Sequence, residues 1–350
     1  GKPSLSFQPT LPVRGATMSP PALRPRLPNF NPRSPCGERR LKGEKSAPSV
    51  DFSGNEELRN AYMGEAYFWR AFAHYYLLIN FRNISPIRQM PRNGDDYVRP
   101  LEKPAAVWNF IQEDLAHAKE LLPVKGYWDS KNAGRVTKAS AAALLGKAYL
   151  YRSGIEQYYG EDKTTFYSEA AKEFGDVIDG KYGTYDLTKN YADNFDVEKE
   201  NGQESIFEIQ YKRNTPGVSG SNYNGYYRPP FVNINGWVGY GDDPVTRNHY
   251  ECYEEGDLRR DVNVRLYTKE EYPNMSSNYE FPCYVNKFQD PSPLAVRSQG
   301  GENNYPILRY SDVYLMRAEA LNAINTSDAE AYECLNVIRR RAFGLNMNEA

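Results

Sequence analysis

The sequence predicts a mostly α-helical protein in which paired helices form a scaffold and a long irregular insert carries a few short strands. Apolar or small residues recur every three or four positions in several segments, the spacing of helices with one buried face. These segments occur in pairs. More than a hundred residues rich in Gly, Asn, Pro and Tyr separate the last pair from the others, which is far longer than a connection between neighbouring helices requires.

Residues 1–54 differ in composition from the rest of the chain. The first fifty residues hold ten of the 24 prolines and nine Lys or Arg against two Glu. Such a segment cannot bury enough apolar surface to offset the entropy lost on ordering. We therefore expect residues 1–54 to be disordered or loosely attached. Cys36 lies in this segment without a preceding apolar stretch, so the sequence assigns no lipid anchor to it.

The first predicted helix pair follows directly. Asn55 precedes two glutamates and is a suitable N-cap, and the helix that it begins extends to about Phe81. Its partner is predicted from about Pro104 to Leu122, with one proline in the first turn and Pro123 immediately after the end.

The second predicted pair covers about residues 138–152 and 164–178. Its first helix contains Leu145-Gly146 followed by Tyr149, and its second contains Ala170 followed by Phe174. This spacing matches the tetratricopeptide pattern, in which a small residue lets two helices approach and an aromatic ring fills the groove. The pairs are therefore expected to stack as a short tetratricopeptide-like solenoid.

The rest of the predicted family domain, residues 55–350, consists of the insert and a third helix pair. We assign residues 55–180 and 305–344 to the helical scaffold and residues 181–304 to the insert. One strand is predicted in the insert, at Ser205–Tyr211, from its alternation of apolar and polar residues. Ser327 and Glu330 form a predicted capping box at the start of the last helix.

Composition and spacing argue against several classes of function. The net charge of −2 does not suit a nucleic-acid-binding protein, and no apolar run is long enough to span a bilayer. The histidines and cysteines lack metal-site spacing, and no phosphate-cradling loop, dinucleotide fingerprint or catalytic motif is present, so we expect no metal and no cofactor, and catalysis finds little support in the sequence. Cys252 and Cys283 could pair if the protein is exported, whereas Cys334 is expected to pack on its helix.

Several segments, in order, resemble the SusD/RagB family of outer-membrane nutrient-binding lipoproteins. The matching blocks are residues 64–78 (GEAYFWRAFAHYYLL), 107–123 (VWNFIQEDLAHAKELLP), 134–151 (GRVTKASAAALLGKAYLY), 167–186, 201–211 (NGQESIFEIQY) and 303–341 (NNYPILRYSDVYLMRAEALNAINTSDAEAYECLNVIRRR). The resemblance covers about residues 56–344 and predicts a chain truncated at both ends. It implies a surface-exposed outer-membrane protein that binds glycans without cleaving them and delivers them to a SusC-like TonB-dependent transporter.

The aromatic insert is the predicted binding surface. A pyranose ring has an apolar face that lies against aromatic side chains and hydroxyl groups that amide and guanidinium groups can bind. The predicted glycan-binding residues are Trp237 as the stacking platform, Tyr240, Tyr226 and Tyr227 beside it, and Asn233, Asn235 and Arg228 as hydrogen-bonding partners. The loop 93–97 is a second candidate rim.

The other tryptophans have structural interpretations. Trp69 and Trp108 are expected in the helical core, and Trp128 is expected to pack a turn. Two alternatives remain open at this point: a member of the same family that captures peptides, or a helical-repeat adaptor that binds protein segments in its groove.

Overall fold

The computed structural model describes residues 52–89, 98–155, 163–212, 220–234, 237–292, 295 and 300–347. The chain divides into two units, Gly1–Asp51 and Phe52–Ala350, and the described residues all lie in the second. The predictions for residues 1–51 and for the loop 93–97 lie outside the described residues. The division at residues 54, 180 and 304 stays a prediction.

The predicted fold class is confirmed: the protein is a tetratricopeptide-like arrangement of helices with a few short strands. The helices are α1 (Glu56–Phe81), α2 (Pro104–Leu121), α3 (Lys138–Ile155), α4 (Lys163–Ile178), α5 (Tyr223–Tyr227), α6 (Arg247–Glu251), α7 (Arg260–Asn263), α8 (Tyr310–Ile324) and α9 (Ala329–Ala342). The strands are β1 (Ser205–Ile209), β2 (Asn233–Ile234), β3 (Trp237–Val238), β4 (Val264–Leu266), β5 (Cys283–Val285) and β6 (Tyr305–Arg309).

The long helices pack in sequence. Helix α1 lies on α2, α2 on α3, α3 on α4, α4 on α8 and α8 on α9. Helix α8 thus continues the solenoid directly after α4, although the whole insert separates the two in sequence. The strands form antiparallel pairs, β1 with β6, β2 with β3 and β4 with β5.

The helix starts follow capping chemistry. Asn55 caps α1 as predicted, because its side-chain oxygen accepts a hydrogen bond of 2.9 Å from the Leu58 amide. The predicted cap of α9 is wrong by one residue. Asp328, not Ser327, is the N-cap, and its carboxylate accepts from the Ala331 amide at 2.9 Å. The positive end of the helix dipole also stabilises the negative charge of this carboxylate.

The close approach of α3 and α4 depends on Gly146. A β-carbon at this position would lie 2.6 Å from the Phe174 ring, so only glycine lets the ring fill the groove. Phe174 itself is completely buried. The small residue and the aromatic ring of the tetratricopeptide pattern therefore meet as predicted.

The tryptophans divide between core and surface. Trp108 is completely buried, as predicted, and Trp128 packs the α2–α3 connection through a 3.3 Å hydrogen bond from its ring nitrogen to the Val136 carbonyl. The prediction for Trp69 is wrong, because its side chain is 46% exposed. Trp69 lies about 100° around the helix from the buried Phe68 and rests edge-on against Phe207 at 5.6 Å between ring centroids.

The cysteines are unpaired in the described part of the chain. Cys252 is an exposed free thiol and Cys283 is a buried one, so the two do not form the disulfide that the sequence left open. Cys283 is enclosed in β5, whereas the Cys252 thiol donates to the His249 carbonyl at 2.9 Å. Cys334 is buried on α9, as predicted.

A buried carboxylate joins the insert to the last helices. Glu204, 1% exposed, precedes β1 and pairs with Arg309 of β6 at 3.2 Å and with Arg341 of α9. The Thr188 hydroxyl donates to the same carboxylate at 2.8 Å. Burial opposes ionisation of Glu204, but the two arginines outweigh it and hold its pKa below the ordinary value. This cluster fixes the position of α9 against the segment before β1 and the end of β6.

A second polar cluster fastens the chain where β6 begins. The Glu200 carboxylate accepts from the Asn304 amide, and the Asn304 side chain donates to Glu208 at 3.1 Å. The Tyr211 amide donates to the Asn304 side-chain oxygen at 2.8 Å. Burial raises the pKa of Glu200 to about 7, and the nearby carboxylate of Glu208 adds to the rise.

Replacing Arg341 should test the first cluster. Arg341→Ala leaves a buried carboxylate with one arginine fewer and is expected to lower the free energy of unfolding by about 3–5 kcal/mol. Arg339→Ala is the matched control on the same helix, because Arg339 is half exposed and its pair with Glu254 should contribute about 1 kcal/mol or less. Urea unfolding followed by circular dichroism measures both. Equal losses in the two variants would contradict the role given to the cluster.

The pKa of Glu200 predicts a pH dependence of stability. The folded state holds the proton of the Glu200 carboxyl more tightly than an unfolded chain does. The contribution of Glu200 to the free energy of unfolding is therefore complete below about pH 4.5 and is lost as the pH rises through about 7. Glu200→Gln should therefore flatten the fall in unfolding free energy between pH 5 and 8 by roughly 1–2 kcal/mol. Glu198→Gln, an exposed neighbour, is the control. An unchanged slope in Glu200→Gln would refute the assignment.

Candidate functional site

Two exposed tyrosines lie side by side on the insert. Tyr226 and Tyr240 are 41% and 59% exposed as residues, and the centroids of their rings are 6.0 Å apart. Backbone hydrogen bonds hold them there: the Tyr240 amide donates to the Gly225 carbonyl at 2.7 Å and the Asp242 amide donates to the Tyr226 carbonyl at 2.9 Å. The segment after β3 is thus attached along α5, and this pairing brings together two of the predicted residues.

The predicted hydrogen-bonding partner Arg228 lies inside the insert. Its side chain is 3% exposed and donates to the Ala295 carbonyl at 3.5 Å, while burial lowers its pKa from the ordinary value. The Arg228 carbonyl lies where a β-carbon on residue 239 would be, only 1.8 Å away, so Gly239 is required for this close approach. The guanidinium therefore supports the loop from below and does not reach a ligand on its surface, contrary to its predicted position.

An open groove of about 520 Å³ lies next to the tyrosines. Its lining residues are Tyr227, Asp242, Asp243, Pro244, Val245, Thr246, His249 and Val285. The groove wall is anchored to β5, because the Val245 amide donates to the Cys283 carbonyl at 2.8 Å and Pro244 bridges Tyr284. Its polar groups are thus carried on a backbone that is held on both sides.

Sequence reasoning missed the polar side of this groove. Asp242, Asp243, Thr246 and His249 are exposed and line it, but none was among the predicted site residues. One signal was present: the two aspartates follow Tyr240-Gly241 directly. Their position beside α5 depends on a backbone pairing that the sequence does not show.

Tyr227 connects the groove to an aromatic cluster beneath it. Its ring stacks on Tyr223 at 5.5 Å, and Tyr223 stacks on Tyr305 of β6 at 5.6 Å. Burial raises the pKa of Tyr227 to about 12, and Asp243 contributes to the rise. The phenol therefore stays protonated at neutral pH and can donate a hydrogen bond to a ligand.

Two more of the predicted residues, Asn233 and Trp237, lie on the neighbouring hairpin. Asn233 is exposed and pairs with Val238 across β2 and β3, while Trp237 pairs with Ile234. Trp237 lies three residues before Tyr240, on the segment that carries it to α5. Asn235 lies outside the described residues.

The arrangement suits binding of a ligand that is both apolar and rich in hydroxyl groups. Tyrosine rings offer apolar faces, and carboxylate, hydroxyl and imidazole groups offer hydrogen-bonding partners.

Within the described ranges, no group of three or more His, Cys, Asp or Glu side chains could hold a metal ion. None of the described helices is long and apolar enough to cross a membrane.

Comparison with known families identifies two matching regions. Residues 260–349 match a family model described as the SusD family. Residues 49–150 match a model described as starch-binding and associating with the outer membrane. The matches lie on either side of the tyrosine pair.

Comparison with curated proteins gives two similar relatives. The chain is 28% identical over 309 residues to SusD-like protein P2 of Formosa agariphila, covering 82% of this chain and 57% of that protein. It is 28% identical over 326 residues to a SusD-like protein of Bacteroides ovatus, covering 83% and 54%. The chain thus spans little more than half the length of these relatives.

Solved structures of similar proteins also match this chain. A laminarin-binding SusD-like protein matches with a TM-score of 0.71 and 26% identity, over 86% of this chain and 67% of that one. A structure determined with a xylogluco-oligosaccharide matches with a TM-score of 0.66 and 26% identity, over 85% and 61%.

Proposed function

Because the chain belongs to the SusD/RagB family, we propose that it is a non-catalytic glycan-binding protein that captures oligosaccharides through the groove beside Tyr226 and Tyr240. The single observation that carries the proposal is this exposed tyrosine pair on a firmly held loop. The relatives with solved structures support it, since one is described as laminarin-binding and another was determined with a xylogluco-oligosaccharide.

The chemistry of the groove fits this ligand class. The C–H face of a sugar ring can lie against the Tyr226 and Tyr240 rings, both of which are open to solvent. The carboxylates of Asp242 and Asp243 can accept hydrogen bonds from sugar hydroxyls, and the protonated Tyr227 phenol can donate one. Exposed stacking and hydrogen bonds compete with water, so each sugar unit should bind modestly.

Capture would be the whole of the mechanism. A bound oligosaccharide would pass, without bond cleavage, to a SusC-like TonB-dependent transporter at the outer membrane, and the helical scaffold would supply the rigid body that contacts this partner. A lipid anchor would hold the protein at the cell surface. The scaffold suits this role because its helices pack into one continuous core, from Phe68 of α1 to Ile338 of α9.

Removing the tyrosine rings should weaken glycan binding. Tyr226→Ala combined with Tyr240→Ala is expected to reduce affinity by about 10- to 100-fold, because two stacking contacts are lost. Affinity gel electrophoresis against laminarin and xyloglucan, followed by calorimetry on the polysaccharide that binds, gives the measurement. Trp237→Ala, measured alongside, tests whether the β2–β3 hairpin belongs to the same platform.

Tyr332→Ala is the matched control, because Tyr332 is 56% exposed on α9. It should bind as the parent does. Retained affinity in the double variant would place the glycan elsewhere on the molecule. If a folded parent binds no polysaccharide but binds peptides, the cargo is peptide and the proposed function is wrong.

A further inference from the structure

The groove beside the tyrosine pair carries negative charge at its rim. Asp242 and Asp243 are both exposed and both line it, together with the uncharged side chains of Tyr227, Thr246 and Val285. No lysine or arginine is among the described residues that line this groove. A ligand in the groove therefore meets two carboxylates and, apart from His249, no cationic group.

Two arginines that adjoin site residues in sequence, Arg247 and Arg228, contact other groups. Arg247 adjoins Thr246 in sequence. Its guanidinium lies over the Phe281 ring, 4.4 Å from the ring centroid, and one of its nitrogens is 3.7 Å from the Glu251 carboxylate. The Arg228 side chain is buried and does not line the groove. The Arg228 guanidinium is buried, and the Arg247 guanidinium is exposed but already faces the Glu251 carboxylate, so neither is placed to recognise a ligand carboxylate or sulfate group in the groove.

The two aspartates are also fixed in position. The Asp242 amide is bonded to the Tyr226 carbonyl, and Asp243 lies between this bond and the bridge from Pro244 to Tyr284. The backbone that carries the two carboxylates is therefore held at the groove wall. Carboxylates held in this way accept hydrogen bonds from hydroxyl groups and repel anionic groups.

We infer that the groove selects uncharged oligosaccharides and rejects those that carry uronic acid or sulfate groups, with Asp242 and Asp243 as the residues that determine this specificity. The inference rests on the proposed function and names the substrate class of the same site. The tyrosine rings supply affinity for the face of any sugar ring, whereas the aspartates distinguish neutral oligosaccharides from anionic ones.

The test compares neutral and anionic polysaccharides at low and high salt. The parent protein, Asp242→Asn combined with Asp243→Asn, and the control Glu270→Gln combined with Glu280→Gln are measured by affinity gel electrophoresis against laminarin, xyloglucan, polygalacturonate and a sulfated galactan. The control removes the same two charges from exposed positions elsewhere on the insert. Matching thermal melts establish that all three proteins are folded.

The parent and the control should be retarded by at least one neutral polysaccharide and by neither anionic one. The double asparagine variant should bind the neutral polysaccharide about 3- to 10-fold more weakly, because amides replace charge-assisted acceptors. It should also gain binding to polygalacturonate at about 10 mM salt, and this binding should persist at about 500 mM, because salt screens only charges and the described lining of the groove holds no lysine or arginine that attracts the anion.

Three outcomes would overturn the inference, and they can be told apart. If the parent binds polygalacturonate or the sulfated galactan as well as it binds a neutral polysaccharide, glycan capture stands and selection by charge is wrong. The same holds if the double asparagine variant and the parent have the same profile. If the folded parent binds no polysaccharide of either kind, the proposed function fails and the inference fails with it.

Discussion

The buried carboxylate of Glu204 is the constraint on which the rest of the structure depends. An ionised group that is 1% exposed is stable only when its partners compensate for lost hydration, and here Arg309 and Arg341 do so. These residues come from the segment before β1, from the end of β6 and from α9. A chain excursion of about a hundred residues therefore begins and ends at one charge cluster, and α8 can follow α4 in the solenoid as though the insert were absent.

The insert has a small core of its own, which explains part of its tyrosine content. Val232, Tyr267, Met275 and Tyr284 are buried together, with Phe231 and Tyr272 packed against them. Tyr227 and Tyr223 join another aromatic cluster that reaches Tyr305 on β6. Only some of the tyrosines, Tyr226 and Tyr240 among them, project their rings to solvent. The buried rings hold the loop so that the exposed ones keep their positions without a ligand, which lowers the entropy cost of binding.

Sequence reasoning succeeded where the determining interactions are local. The start of α1 follows from the Asn55 cap, and the α3–α4 contact follows from Gly146 and Phe174. It failed at Trp69, which was assigned to the core although the adjacent Phe68 occupies the buried face of α1. It also failed at the start of α9, where Asp328 and not the adjacent Ser327 is the N-cap. In the insert, residue types predicted the tyrosines, and the structure places Tyr226 beside Tyr240, but their role in binding stays a prediction. The burial of Arg228 and the approach of Asp242 depend on pairing between the segments around residues 225–228 and 240–242, which no local pattern reveals.

The central claim is that a groove formed by the insert, and not the helical surface, captures the glycan. Hydrogen exchange of the parent protein, with and without saturating laminarin or xyloglucan oligosaccharides, tests this most directly. The account predicts slower exchange in Tyr223–Tyr227 and in residues 240–249, with α3 unchanged. Protection confined to the helices, under conditions where calorimetry shows binding, would contradict it.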